Sequence, residues 1–297
     1  EPYVWINLWA SKSHVFFVLE LWRLRATIIA IIFALLEPVV ICHSPFLNPT
    51  MSSRVEIMCF SISVETGADS YVHAEVCCKA ATISPAIDGV FHQAALASVQ
   101  DSFNKPEEYQ NVNVNGTENI LKLAKQNNFK VVYASSSSVY GNPEKIPIKE
   151  LNSKNPINPY AETKLEKEEL AKKYSKMGVK VIGLRYFNVF GKGQSKEYAG
   201  VLKLFLERIR DELPPKINGD GSQFRDFVYV EDVADANIMS MDSNIDHEFF
   251  NVGTNTSITI LDLAKTIIKF SNLNINPIFG PPLQGDVQKT VANINLI

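Results

Sequence analysis

Residues 130–141, KVVYASSSSVYG, decide the fold. Lys130-Val131-Val132-Tyr133-Ala134 is β-branched and aromatic, too short for a helix, and opens into the serine run 135–138, so it reads as a buried strand. Downstream, Asn158-Pro159 opens a helix, an N-cap residue followed by proline at the first helical position. That helix should run to about Met177, with Gly178 as its C-terminal cap. The next strand is 179–184. Upstream, Gly89-Val90-Phe91 is a short apolar run ending in polar His92-Gln93, and 106–126 carries Val114, Ile120, Leu121 and Ala124 at helical spacing. Alternating strands and helices, with apolar strands this short, predict a parallel sheet covered on both faces. The site of such a sheet lies beyond the carboxyl ends of its strands. There the chain places His92-Gln93-Ala94-Ala95, Ser135-Ser136-Ser137 and Tyr186-Phe187-Asn188.

Tyr160 and Lys164 stand four apart on the proline-opened helix and project from one face. An ammonium near a phenol favours the phenolate and draws its pKa down from about 10. A phenol so tuned removes a hydroxyl proton while hydride leaves the same carbon. Ser136, at the strand end, is a candidate hydrogen-bond partner for that oxygen. The spacing alone is weak, because ten tyrosines and 22 lysines in 297 residues give about 0.7 such pairs by chance. An exposed i, i+4 pair would then explain it. The context, a helix start soon after a strand that ends in four serines, raises the signal.

SSSVYG (136–141), PYAETK (159–164), NVNGT (113–117), LRYFNVFG (184–191) and GDGSQFRDFVYVEDVADA (219–236) occur in this chain in an order and spacing that resemble a known family. It is the extended short-chain dehydrogenase/reductase superfamily, and within it the UDP-glucose and UDP-N-acetylglucosamine 4-epimerases. The resemblance covers about residues 88–297. It implies an α/β, Rossmann-like doubly wound parallel sheet over 89–297 with a smaller C-terminal substrate-binding lobe, mainly 189–225 and 256–297. It also implies NAD as cofactor and a UDP-sugar as substrate, epimerised at C4 through a 4-keto form. Tyr160 would be the acid/base at the sugar 4-hydroxyl, Ser136 its hydrogen-bonding partner, and Lys164 the residue holding the nicotinamide ribose. Ala94, Ala95, Asn113 and Tyr186 match positions lining the NAD site, together with Tyr160 and Lys164. Asn188, Asn218 and Arg225 match contacts to the nucleotide sugar, with Arg225 at the diphosphate, a task its fork of donors suits. The plain alternative for Arg225 is an ion pair with a neighbouring acid such as Asp226. Asp286 matches a ribose-binding carboxylate, while Leu283 stands where the family often has a second diphosphate arginine.

Subfamily choice rests on few positions. Dehydratases of this superfamily place Asp or Glu between the catalytic serine and Val-Tyr-Gly, whereas Ser137 and Ser138 stand here. UDP-glucuronate epimerases usually carry Thr where Asn188 stands. Thr290 matches the position that controls room at the sugar's C2, so an N-acetyl group is expected to fit. The family often pairs long helices into a homodimer, the expected assembly by analogy.

The first 88 residues depart from this pattern. They hold all four Cys (Cys42, Cys59, Cys77, Cys78) and all three Trp, but one of the 14 Gly, Gly67. A dinucleotide-binding sheet needs a Gly-rich turn after its first strand so that backbone can approach the pyrophosphate, and no such turn is present. The first strands of the sheet are therefore expected to be atypical or missing. With length close to that of the missing elements but different content, and a chain that starts at Glu1 and stops short of the family's closing helix, a frame disruption or replaced N-terminus is expected. A catalytically inactive nucleotide-sugar-binding remnant is the alternative function. Residues 26–42 contain the apolar run ATIIAIIFALL, which falls short of the about 20 residues a spanning helix needs and is broken by Glu37-Pro38. Membrane anchoring is the minor reading of that stretch.

Composition bounds the remainder. The chain is 46% apolar and 21% charged, a globular balance, and its net charge of −3 argues against a nucleic-acid partner. Its cysteines lack disulfide-framework or metal-ligand spacing. A reducing, cytoplasmic compartment is therefore expected.

Overall fold

The computed structural model of the protein describes residues 55–58, 88–192, 194 and 200–297. Two strands open the order, Val55–Met58 (β1) and Gly89–His92 (β2), followed by the helices Val99–Asn104 (α1) and Pro106–Tyr109 (α2). A π-helical segment, Gln110–Asn115, leads into Gly116–Asn127 (α3), so the expected 106–126 helix is interrupted by one wide turn. Strand Lys130–Ser136 (β3) passes through a 3₁₀ turn, Ser137–Tyr140, and reaches Pro159–Ser175 (α4), Val181–Tyr186 (β4) and Asn188–Phe190 (β5). Then come Val201–Arg210 (α5), Lys216–Asn218 (β6), Phe224–Arg225 (β7), Phe227–Tyr229 (β8), Val230–Asp242 (α6) and His247–Val252 (β9). Ile258–Thr259 (β10), Ile260–Ser271 (α7) and Ile278–Gly280 (β11) complete the order.

The central sheet has order β1-β2-β3-β4-β9, and every pairing is parallel. Period-2 alternation divides its side chains between two cores. Val131 and Tyr133 of β3 join Ile120, Leu121, Ala124 and Ala171 on the α3–α4 face. Val132, between them, joins Val233 and Ala234 on the α6 face. Each fully buried aliphatic side chain of this kind contributes about 1.5–3 kcal/mol. Both faces are covered, as the short apolar strands predict. A smaller lobe packs α5 against α7 through Phe205, Ile217, Ile260 and Ile267. Three two-stranded pairings, β5-β8, β7-β10 and β6-β11, surround that lobe and link it to the sheet.

Two expectations shift. The helix starts where proline and Asn158 predict, the Asn158 side chain accepting from Ala161 N, but it ends at Ser175, and Gly178 follows at φ +90°. The strand expected at 179–184 is displaced two residues, because Val179 N bonds Tyr174 O in the turn that closes α4. Of the first strands, expected to be atypical or missing, one is described: β1 pairs along the whole of β2 (Val55 with Gly89, Met58 with His92). The stretch expected to lack a Gly-rich turn, the cysteines and the 26–42 run lie outside the described residues. Among the described residues no helix is long and apolar enough to cross a membrane.

Candidate functional site

The carboxyl ends of β2, β3, β4 and β9 meet at one rim of the sheet, and helix α4 begins beside it. Ser136 is the last residue of β3 and caps the 3₁₀ turn, its Oγ accepting from Ser138 N (3.2 Å) and Ser138 Oγ (2.9 Å). Tyr160 and Lys164 lie on the first two turns of α4, with Lys164 Nζ 5.5 Å from the centre of the Tyr160 ring. The Ser136 hydroxyl is the side chain that acts on the Tyr160 phenol to lower its pKa. The three expected groups therefore converge.

Their electrostatics differ from the simple expectation. Burial pushes the Tyr160 phenol above its ordinary pKa, opposed by the Ser136 hydrogen bond, which acts to lower it. Lys164 does not draw the phenol down, because its ammonium lies over the ring face and donates to the Ala134 carbonyl at 3.0 Å. Desolvation draws Lys164 down to about 8, a hydrogen bond with Lys167 acting the other way.

The expected cofactor-side residues surround this trio. Ala94 and Ala95 are buried in the loop leaving β2. Asn113, in the π-helical segment, is fully buried. Its Oδ1 accepts from Leu96 N, and its Nδ2 donates to Leu96 O and Thr163 Oγ1. Asn113 thus ties the loop after β2 to helix α4 rather than presenting a free carboxamide. The Tyr186 hydroxyl sits in a triangle of amides, donating to Gln93 Oε1 at 2.9 Å and accepting from Asn237 Nδ2 at 2.7 Å, while Gln93 Nε2 donates to Asn237 Oδ1. His92, buried at the end of β2, is held well below the usual histidine pKa by desolvation and by Lys167 and Lys164. Its Nε2 bonds Thr117 Oγ1, whose proton goes to Asn113 O. Thr117 therefore receives the hydrogen from His92.

The expected substrate-side residues form a second group. Arg225 Nη2 donates to Asp286 Oδ1 at 2.6 Å, bringing together two candidates 61 residues apart. This replaces the pairing with Asp226 considered above. Asp226 is fully buried and accepts from the backbone of Thr254, Asn255 and Ala292 and from the Thr254 hydroxyl. Thr290 is buried beside β7, its N bonding Phe224 O. Asn188 opens β5, where its N bonds Asp226 O, and Asn218 ends β6, its carbonyl accepting from Gln223 Nε2. Asn158 joins the two groups, capping α4 with Oδ1 while Nδ2 donates to Gly285 O, next to Asp286.

Sequence reasoning missed the polar underside of the site. Arg185, 1% exposed, meets Glu168 through Nε and Nη2 at 2.8 and 2.7 Å, and its Nη1 reaches Tyr140 Oη and Glu150 O. Ser135 Oγ donates to the same carboxylate. The only available signal was position, since Lys164, Lys167, Glu168 and Ala171 fall on one helical stripe of α4. A cavity of about 430 Å³, lined by Asp88, Lys130, Lys180 and Asp246 among others, lies at the opposite, amino-terminal ends of the strands and holds none of the candidate residues.

Comparison with known proteins identifies the family. Residues 70–253 match the model of the NAD dependent epimerase/dehydratase family, beginning some way before the limit drawn from the motifs. A putative UDP-glucose 4-epimerase of Methanocaldococcus jannaschii is 37% identical over 212 residues, 70% of this chain and 69% of that protein. The UDP-N-acetylglucosamine 4-epimerase of Methanobrevibacter ruminantium, solved with UDP-N-acetylmuramic acid, is 37% identical with a TM-score of 0.68, covering 71% of this chain and 69% of that one. The Thermus thermophilus UDP-glucose 4-epimerase, solved with NAD, is 31% identical with a TM-score of 0.62, covering 69% and 68%.

Proposed function

We propose that this chain, which belongs to the NAD dependent epimerase/dehydratase family, epimerises a UDP-hexose at C4, taking UDP-glucose and its N-acetylhexosamine counterpart. The observation that carries the reading is the convergence of Ser136, Tyr160 and Lys164 at the carboxyl end of β3. Support for the cofactor comes from the donor set at that rim. It comprises a buried ammonium that spends one hydrogen bond on Ala134, two small alanines, and a loop held by Asn113. These residues fit the nicotinamide end of NAD, with Lys164 at the ribose, Ala94 and Ala95 leaving room, and Asn113 and Tyr186 fixing the surrounding wall.

When bound, NAD supplies a reversible acceptor for the hydride at the sugar C4. The protein's own part is proton transfer and orientation. Tyr160 takes the proton of the 4-hydroxyl as hydride leaves and gives it back when hydride returns to the other face, so the cycle is proton-neutral. Ser136 donates a hydrogen bond that favours the ionised phenol and offers the sugar oxygen a second polar contact. Arg225, with its guanidinium fork, holds the diphosphate beside Asp286 at the ribose, while Asn188, Asn218 and Thr290 face the sugar. The lobe built mainly from 189–225 and 256–297 is assigned to the nucleotide sugar. Serines at 137 and 138 supply no carboxylate for water elimination, which disfavours a dehydratase. A homodimer is the proposed assembly, by analogy with the pairing of long helices in the family. The net charge of −3 supports the exclusion of nucleic acid, and the cysteine pattern supports a cytoplasmic location.

The test begins by denaturing the purified chain and assaying the supernatant for NAD, followed by 4-epimerisation assays on UDP-glucose and UDP-N-acetylglucosamine with NAD added. Turnover that falls by about 10²–10⁴ in Tyr160→Phe is expected. Nucleotide-sugar binding without turnover would replace this reading by that of an inactive remnant.

A further inference from the structure

The stretch 281–288, which carries Asp286, has no helix or strand of its own. A carboxylate on such a loop keeps its place only through contacts made by its neighbours. Those contacts come from three carboxamides on the sheet side of the protein. Gln100 of α1 donates from Nε2 to Gln284 O at 3.0 Å, and Asn158 donates from Nδ2 to Gly285 O at 3.1 Å. Asn142, two residues past the 3₁₀ turn, accepts from Gln288 N at 2.8 Å. All three bonds are made to loop backbone, and they bracket Asp286 on both sides.

Asn158 is the strongest of the three holds. The Gln100 and Asn142 bonds are exposed, where water competes for both partners, whereas Asn158 is buried. Its carboxamide is also engaged at both ends, since Oδ1 caps α4 by accepting from Ala161 N at 2.8 Å. One planar group thus joins the first turn of the helix that bears Tyr160 to the residue before Asp286. Close packing at Gly285 supports the same contact. Gly285 has φ +70°, and a Cβ there would stand 2.9 Å from the Phe103 ring and 3.1 Å from Asn158 Cβ. Only glycine lets the loop backbone lie this near α1 and the start of α4. On the far side, the Asp286 carboxylate holds Arg225 Nη2 at 2.6 Å while its side chain stays 33% exposed and open to a ligand.

We propose that Asn158 is a positioning residue that sets the Arg225–Asp286 pair in register with the proton-transfer helix, with Gln100 and Asn142 as outer supports. It acts through Asp286 and the start of α4, not by contact with the reacting atoms. This rests on the reading of Asp286 and Arg225 as the ribose and diphosphate contacts. The two ends of one carboxamide then have separable effects. Loss of the Nδ2 bond weakens the grip on the nucleotide, and loss of the Oδ1 bond misplaces Tyr160. A uridine diphosphate held at Asp286 is thereby kept in register with the phenol that its sugar must reach.

Asn158→Ser separates the two effects, since a serine hydroxyl still caps the helix but is too short to reach Gly285 O. Amide hydrogen exchange of the full chain, followed by NMR, reads the loop at Asp286 and Gln288, which bond Leu283 O and Asn142 Oδ1. Both should exchange about 3–10-fold faster in the variant, the effect of one hydrogen bond, while Ala161 keeps its protection. The Kd for UDP, by calorimetry, should rise by a like factor, and KM for the UDP-sugar with it, while kcat falls less. Asn158→Ala removes the cap as well, so kcat should then fall too. Gly285→Ala reaches the same contact from the loop. Its methyl lifts the backbone from Asn158, so UDP should weaken, and adding Asn158→Ser should bring no further loss. Exchange at Asp286 and Gln288 that Asn158→Ser leaves unchanged would overturn the proposal, as would an unmoved Kd for UDP in a variant whose loop has loosened. A merely structural Asn158 would lower the melting temperature and leave both readouts where they were. The exchange measurement needs no ligand, so a chain that binds no UDP would end the proposed function while the loop amides still decide the role of Asn158.

Discussion

Replacing Glu168 by glutamine tests the polar underside of the site most directly. The Arg185 guanidinium is 1% exposed and makes four hydrogen bonds, two of them to the Glu168 carboxylate. Glutamine keeps the shape and one acceptor oxygen, but turns an NH₂ group towards a cation that has only donors. The remaining partners are neutral, the Glu150 carbonyl and a Tyr140 phenol whose pKa burial pushes up, so neither supplies a counter-charge. Stripping one partner from a buried ion pair costs about 3–5 kcal/mol. The oxygen that glutamine keeps still accepts from Ser135, so the cost comes from the lost charge and the lost guanidinium contact. Against a typical total of about 5–15 kcal/mol, this is a large fraction of the fold's stability. Urea unfolding should show a lower midpoint with an unchanged slope. The double variant Glu168→Leu/Arg185→Met, which removes both charges, should be more stable than Glu168→Gln alone. A single variant within about 1 kcal/mol of the parent, or a double variant equal to the sum of the two singles, would refute the reasoning.

Three further outcomes are expected. Lys164, lowered to about 8 in the fold against about 10.4 in the unfolded chain, makes stability rise with pH between those values, because there the unfolded state binds more protons. Lys164→Met should therefore raise stability at pH 7 by about 1–3 kcal/mol, a gain that shrinks as thermal melts approach pH 10; a less stable variant at pH 7 would contradict it. Gly141 has φ +59°, and a Cβ there would collide with the Asn155 carbonyl oxygen, so Gly141→Ala should lose about 1–3 kcal/mol or more in urea unfolding. Arg225→Lys removes a planar fork while keeping the charge, so KM for the UDP-sugar should rise about 10–100-fold with kcat little changed; an unaltered KM removes the diphosphate role.

The reactive trio was legible because each member carries a local signal. Lys130-Val131-Val132 ends in serines, Asn158-Pro159 starts a helix, and Tyr160 and Lys164 need no tertiary knowledge to share a face. What was not legible depends on distant partners. KLEKEELAKK reads as a solvated helix, yet Lys167 and Glu168 are wholly buried, since Glu168 has Arg185 across on β4. Hydrophobic periodicity cannot reveal a stripe whose interior members are charged. The Arg225–Asp286 contact and the Gln93–Tyr186–Asn237 triangle join residues from 51 to 144 apart, where single-sequence patterns carry no information. The lowered phenol pKa failed for a geometric reason, because spacing placed the ammonium near the ring without fixing it at the oxygen.

The polar underside also explains how a weakly amphipathic helix holds its chemistry in place. Along its axis α4 is fixed at the start by Asn158, which caps the helix and grips Gly285. Around its axis it is fixed by the two-point Glu168–Arg185 bond, which ties one azimuth to β4, whereas an apolar stripe alone would tolerate small rotations. Tyr160 and Lys164 lie between these two anchors. A rotation of α4 that moved the phenol away from Ser136 would have to break a buried ion pair, so the position of the reacting oxygen is coupled to the most costly contact beneath it. The buried charges are therefore part of the site's alignment, and a purely apolar α4 of equal stability would leave the phenol less well placed.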